Sequence, residues 1–279
     1  MMYLGLAILS SALIAVLMRL SEKHTKSSLA MLAANYSACG LLAAVFAGEG
    51  RLMPIQAEGF LAALLLGVLG GVIYLGAFLL MQWNIARNGV VLPSTFMKLG
   101  ILVPTVFSAV IFHETAGPLK WMGVALAVAA IVMMHGGGSM ENKSLIGLIL
   151  LMLAGGCADF MSKLFEELAP AALKNQFLFY IFFVALVLCI ALCLVKRERP
   201  GKKDVLFGLA IGIPNYFSSR FLLLSLDSVP AMAAFPSFSV GTILLVAAAG
   251  VLLFKEKLSM RKYLALAVIL GALVLLNWE

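Results

Sequence analysis

Gly5-Leu6-Ala7-Ile8-Leu9-Ser10-Ser11-Ala12 and Gly147-Leu148-Ile149-Leu150-Leu151-Met152-Leu153-Ala154 are the two stretches on which the reading of the fold turns. They share the glycine, the leucine after it and the closing alanine at a separation of 142 residues, about half of the 279-residue chain. The correspondence runs on through both halves. At a separation of 143, Phe78-Leu79-Leu80 meets Phe221-Leu222-Leu223, Pro93-Ser94 meets Pro236-Ser237, and Leu102-Val103 meets Leu245-Val246. At 142 again, Phe112, Glu114, Lys120 and Trp121 meet Phe254, Glu256, Lys262 and Tyr263. One single-residue slip near the fourth and ninth apolar runs reconciles the two separations. The glycine, proline and glutamate pairs carry the weight, because apolar coincidences say little in a chain that is 63% hydrophobic.

That composition excludes an ordinary soluble domain. Only 12% of the residues are charged, against about 25% in soluble proteins. A bilayer core of about 30 Å needs about 20 apolar residues per helix. The sequence predicts ten spans, at 2–19, 28–48, 58–83, 90–112, 119–136, 144–165, 172–195, 204–226, 231–254 and 261–278. All are expected to be helical, because lipid offers the backbone no hydrogen-bonding partner. The connections are short and hold turn residues such as Asn88-Gly89, Gly117-Pro118 and Pro200-Gly201. Trp83, Trp121 and Trp278 fall at predicted helix ends, as an interfacial belt requires. The first apolar run has no basic residue ahead of it and has a counterpart later, so it reads as a structural helix and not a signal peptide.

The net charge of +7 reflects topology, not nucleic-acid binding. Arg19, Lys23, Lys26, Arg87 and Lys143, then Lys196, Arg197, Arg199, Lys202 and Lys203, and last Lys255, Lys257, Arg261 and Lys262 belong to the odd-numbered connections. The even ones hold Arg51, Lys120 and Lys174. Basic residues mark the cytoplasmic side, so the odd connections are expected in the cytoplasm and both termini outside, in a multi-pass protein of the cell membrane. An odd number of spans per half inverts the second half. The expected fold is therefore an all-α membrane protein of two inverted five-helix repeats, 1–138 and 139–279, forming one membrane domain. Such halves suit a carrier whose central site opens to each side in turn.

Ten helices in two inverted halves, each with Phe-x-Glu before its last helix (Phe112-His113-Glu114 and Phe254-Lys255-Glu256), resemble the EamA-type branch of the drug/metabolite transporter superfamily. The resemblance spans the whole chain. It implies a solute carrier, often an exporter of amino acids or other metabolites, that works without ATP hydrolysis. The opening from Tyr3 to Leu9 and on to Ser21-Glu22-Lys23 also resembles the start of small multidrug resistance proteins, which carry a membrane-embedded glutamate in the first helix. The corresponding place here is roughly Ser11, which cannot ionise, so drug export driven by a proton on that residue is not expected.

Ionisable residues inside spans are candidates for the site, since burying each costs about 2.5–3.5 kcal/mol on insertion scales. Lys98 lies eight residues into the fourth span, roughly 12 Å deep at ~1.5 Å per residue. Arg220 lies near the end of the eighth. Their repeat mates, Gly241 and Ala77, are uncharged, so neither charge is required by the fold. The pair is expected to bracket the midplane and to bind the acidic part of a substrate. Asp159 and Lys163 share a helix face and can pair; in a second reading Asp159 pairs with Arg220, and substrate or a proton breaks that pair. Tyr36, Asn35, Tyr74, Asn215 and Tyr216 are candidate lining residues, the last two directly after Pro214. Glu114 and Glu256 are expected to cap the fifth and tenth helices. Gly67-x-x-x-Gly71 suits close helix packing.

Enzymatic readings find little support. His113-Glu114 begins like a zinc-protease motif, but Gly117 stands where its second histidine belongs. The cysteines, Cys39, Cys157, Cys189 and Cys193, lack metal spacing, and no nucleotide-binding loop occurs. The expectation is a secondary transporter of a small metabolite, an amino acid or organic anion, in the exporting direction, with no cofactor or metal. Its partners would be that solute, the lipid bilayer and a coupling proton or counter-substrate. A flippase for a lipid-linked carrier and a multidrug exporter stay open beside it.

Overall fold

The computed structural model describes residues 2–47, 52–103, 117–135, 142–225, 228–229 and 231–276. Among the described residues the chain forms ten α-helices. They are α1 (Met2–Ser21), α2 (Ser28–Phe46), α3 (Phe60–Asn88), α4 (Val91–Leu99), α5 (Pro118–His135), α6 (Asn142–Leu168), α7 (Lys174–Val195), α8 (Lys202–Ser225), α9 (Ala231–Leu252) and α10 (Met260–Leu276). A 3-10 turn, Ala171–Leu173, leads into α7. Met2–Ser21, Ser28–Phe46, Phe60–Asn88, Leu145–Phe165 and Ala171–Val195 are long and apolar enough to cross a bilayer, and Trp121–Ala130 and Ser237–Leu252 are shorter apolar stretches.

Most helices begin and end within a few residues of the expected spans. The third overruns its expected end and stops at Gly89, whose φ of 76° lies in the left-handed region that favours glycine. The fourth departs further. A continuous helix over 90–112 was expected, yet α4 ends at Leu99 in a tight turn in which the Val103 amide donates to the Gly100 carbonyl at 2.8 Å. Pro104, Phe112, His113 and Glu114 lie outside the described residues, as does Trp278.

Helix faces sort by size. On α3, Leu61, Leu65, Leu69 and Val72 are exposed at near-helical spacing, which is the side a bilayer would cover. Gly67 and Gly71 face α7: a Cβ at Gly71 would stand 2.7 Å from the Ile181 carbonyl oxygen. On α8, Gly208 and Gly212 face α2 in the same manner, with a Cβ at Gly212 reaching 2.5 Å from the Asn35 carbonyl oxygen. Small residues four apart let the backbones approach closely, which is how helices associate where no hydrophobic effect separates them from solvent.

The pairings come in matched sets. α2 packs on α8 and α3 on α7; α1 packs on α8 and α3 on α6; α1 packs on α9 and α4 on α6. Exchanging the first five helices for the last five turns one member of each set into the other. The pairs α2–α7, α4–α9 and α5–α10 map onto themselves.

The connections gather at two ends. At one end, the Lys26 amide donates to Asp204 Oδ1 at 2.7 Å and the Ser27 hydroxyl donates to Glu198, joining the first connection to the seventh. Glu256 Oε1 accepts from the Val90 amide at 2.6 Å, joining the third to the ninth. At the other end, Tyr180 at the start of α7 donates to the Leu52 carbonyl at 2.6 Å, and Tyr3 stacks on Phe221 with centroids 6.0 Å apart. The Glu256 contact corrects an expectation. Its carboxylate does not cap α10 but reaches the start of α4, because the loop after α9 folds back over the corner between α3 and α4. Its repeat mate Glu114 lies outside the described residues.

A candidate solute-binding cavity

Six helices enclose a cavity of about 130 Å³. α1, α3 and α4 of the first half and their repeat mates α6, α8 and α9 supply its wall. Lys98, in the last turn of α4, and Asp159, two-thirds of the way along α6, both line it and interact through space. The Lys98 ammonium lies 3.8 Å from the centroid of the Phe238 ring on α9, close enough for cation–π attraction. Tyr74 on α3 lines the same wall beside Ser219 and lies within the field of Asp159.

Four of the expected residues, Lys98, Asp159, Tyr74 and Asn215, meet in this cavity. Asn215 directly follows Pro214 inside α8, and its Nδ2 donates to Asn35 Oδ1 at 3.2 Å. Tyr36 is buried behind the wall, where its hydroxyl donates to the Tyr74 carbonyl at 3.1 Å and its ring meets Phe78 edge-on. Tyr216 is likewise behind the wall, stacked on Phe46 at 5.8 Å. Arg220 is absent from the lining. Its guanidinium donates to Asn175 Oδ1 at 3.2 Å and to the Tyr216 hydroxyl at 3.0 Å, and it lies 4.3 Å from the Phe46 ring centroid. The expected bracket of Lys98 with Arg220 is thus not formed, because Arg220 points toward α2 and α7. The charge that acts on Asp159 across the cavity is Lys98, in place of Arg220.

Residue-by-residue reading missed the small polar groups. Ser11, Ser94, Ser218, Ser219 and Thr242 all line the cavity. Ser94 Oγ and Thr242 Oγ1 are buried with no hydrogen-bond partner among the described residues, an arrangement that native interiors normally avoid. A signal for one existed, since Ser94 belongs to the repeated Pro-Ser pair. Gly241, the mate of Lys98, lies against Ile8: a Cβ there would stand 2.8 Å from the Ile8 terminal methyl, which would have to shift.

Residues 142–278 match the EamA-like transporter family. Over that stretch the chain belongs to the family. EamA-like transporters carry small molecules, so this chain is a multi-pass membrane protein of that kind. An uncharacterized protein of Haemophilus influenzae is 26% identical over 215 residues, 75% of this chain and 73% of its own length. A crystal structure of a protein 16% identical, covering 98% of this chain and 95% of the other, superposes with a TM-score of 0.65. At that identity the likeness speaks for the fold alone. In this EamA-like transporter, Ser11 occupies the cavity wall, at roughly the place where small multidrug resistance proteins keep their glutamate. The position faces the pocket but carries no charge.

Proposed function

We propose that the chain is a secondary transporter that exports a small metabolite bearing a carboxylate, an amino acid or an organic anion, across the cell membrane by alternating access. One observation carries the reading: a lysine, an aspartate and two unpartnered hydroxyls face a single cavity whose wall is drawn from equivalent helices of the two halves. Charges and bare hydroxyls are costly in a low-dielectric interior unless something pairs with them. A solute carboxylate would pair with Lys98, an ammonium with Asp159, and its polar atoms with Ser94 and Thr242. The ring of Phe238 would hold Lys98 in place while the site is empty.

Two inverted five-helix repeats, 1–138 and 139–279, are the architecture that this mechanism uses. The matched helix pairings support it, since an exchange of halves leaves the packing pattern intact. The bias of basic residues supports an orientation with the first, third, seventh and ninth connections in the cytoplasm and both termini outside. Asp159 is the group positioned to carry a coupling proton; a counter-substrate would meet the same two charges.

Deletion of the gene, followed by metabolite profiling of cells and medium, tests the reading. One or a few carboxylate-bearing metabolites should accumulate inside and fall in the medium, and re-expression should reverse both. Profiles unchanged under every growth condition tried would sink it.

A further inference from the structure

We infer that Glu256 is the latch of a gate at the odd-numbered end of the transporter, and that it acts on the cavity through α4; the inference rests on the alternating-access reading. The first amides of a helix have no partner within the helix. At α4 the cap residue is Val90, whose side chain cannot supply one. The partner comes from the other half of the chain. Glu256 accepts from the Val90 amide at 2.6 Å and from the Val91 amide at 3.4 Å. Gly89 makes this possible, because a Cβ there would stand 2.5 Å from the carboxylate carbon. Arg19 completes the cluster. Its Nε is 3.7 Å from Glu256 Oε1, it donates to the Ile85 carbonyl at 3.1 Å, and it pairs with Glu22.

One carboxylate therefore ties α1, the α3–α4 corner and the connection between α9 and α10 together, and so closes the two halves over the cavity at this end. A carboxylate at a helix start gains both charge-assisted hydrogen bonds and the favourable end of the helix dipole, yet it is a contact that can part and re-form. α4 is short, nine residues or about 13 Å at ~1.5 Å per residue. The latch holds its first turn and Lys98 stands in its last. Just beyond, Gly100 lies against Gly156 of α6, with no room for a side chain at either. α4 is thus a lever with a close backbone pivot at one end, Lys98 beside the pivot and Glu256 at the far end. Solute at Lys98 and release at Glu256 bear on the same rigid body.

The test uses the full chain with Cys39, Cys157, Cys189 and Cys193 replaced by alanine and a cysteine at the cavity position Thr242. Vesicles of each sidedness are treated with a membrane-impermeant maleimide. Glu256→Gln should raise labelling from the odd end severalfold, and Glu256→Asp should restore most of the original rate. In a Val90→Cys/Glu256→Cys pair, oxidation should block odd-end labelling and reductant should return it. Unaltered labelling in Glu256→Gln, or undiminished odd-end labelling in the cross-linked pair, would overturn the latch; if Glu256→Gln does not insert, the cross-linked pair decides. Labelling needs no knowledge of the solute. A cross-link that closes the odd end while transport continues at full rate would uphold the latch and defeat alternating access.

Discussion

Lys98 on α4 and Asp159 on α6 face one cavity, one charge from each half of the chain. Neither half alone could hold both, so the site exists only where the halves meet. The cavity also draws equally on three pairs of equivalent helices, which is where rocking of one half against the other would change its access.

Removal of either charge should be worse than removal of both. Lys98 and Asp159 act on each other through space across the cavity, so removing one leaves the other uncompensated, whereas neutral replacement of both is often near neutral. Thermal unfolding in detergent should show Lys98→Met and Asp159→Asn each lowered and the double variant recovering most of the loss. Additive losses would show that the two do not act as a pair.

Transport should depend on Lys98 far more than on Arg220. Lys98→Met removes the cation that lines the cavity, and solute efflux should fall at least tenfold, about 1.4 kcal/mol or more. Arg220→Met alters a site occupied by Asn175, Tyr216 and Phe46, outside the lining, and should cost a few-fold at most. Equal losses from the two variants, with equal amounts in the membrane, would return Arg220 to the substrate.

Asp159→Asn should flatten the response of transport to pH. An amide occupies the same space and can neither take up nor release a proton. If the variant transports with an unchanged pH profile, the coupling proton, where there is one, resides elsewhere.

Gly208→Leu should separate α2 from α8. A side chain at that glycine would run into the Met31 carbonyl and Ala34. Overpacking typically costs about 1–3 kcal/mol, and backbone that cannot yield places this site at the upper end. A lowered unfolding temperature in detergent checks it; Gly271→Leu, where nothing stands within 4 Å of a Cβ, is the control expected to change little.

Sidedness is open to direct measurement. Cysteines replacing Lys23 and Lys257 should label from the cytoplasm, and one replacing Glu58 from outside. The reverse pattern would invert the chain in the membrane while leaving the cavity as it is.

Helix positions were mostly legible because lipid imposes a length and forbids other backbone forms; the fourth, expected to run over 90–112, instead ends at Leu99. Depth was legible for the same reason: Lys98 and Asp159 stand out as charges inside expected spans, eight residues from the start of one and six from the end of the other. Direction around the helix axis was not. α8 carries polar residues on several sides, with Asn215 turned to the cavity and Tyr216 and Arg220 turned to α2 and α7, and no apolar stripe sets them apart. The partner of Glu256 was hidden for a different reason. Proximity to α10 in sequence suggested a local cap, whereas the actual acceptor geometry depends on how the loop after α9 folds over Gly89. Ser94 and Thr242 were overlooked because an uncharged hydroxyl inside a span is ordinary until its lack of a partner is seen.

The crowding of Gly241 by Ile8 has a wider meaning. A duplicated machine with interchangeable arms would pass through equivalent intermediates whichever way it ran. Here the twin of the charged position is a glycine set against a neighbour's side chain, so a lysine stands on one arm and not on the other. If the halves alternate as proposed, the half-cycle that carries Lys98 toward the interior and the one that carries it away would differ in energetics and in rate. Gradients would still fix the net direction, but the carrier would have acquired a grain.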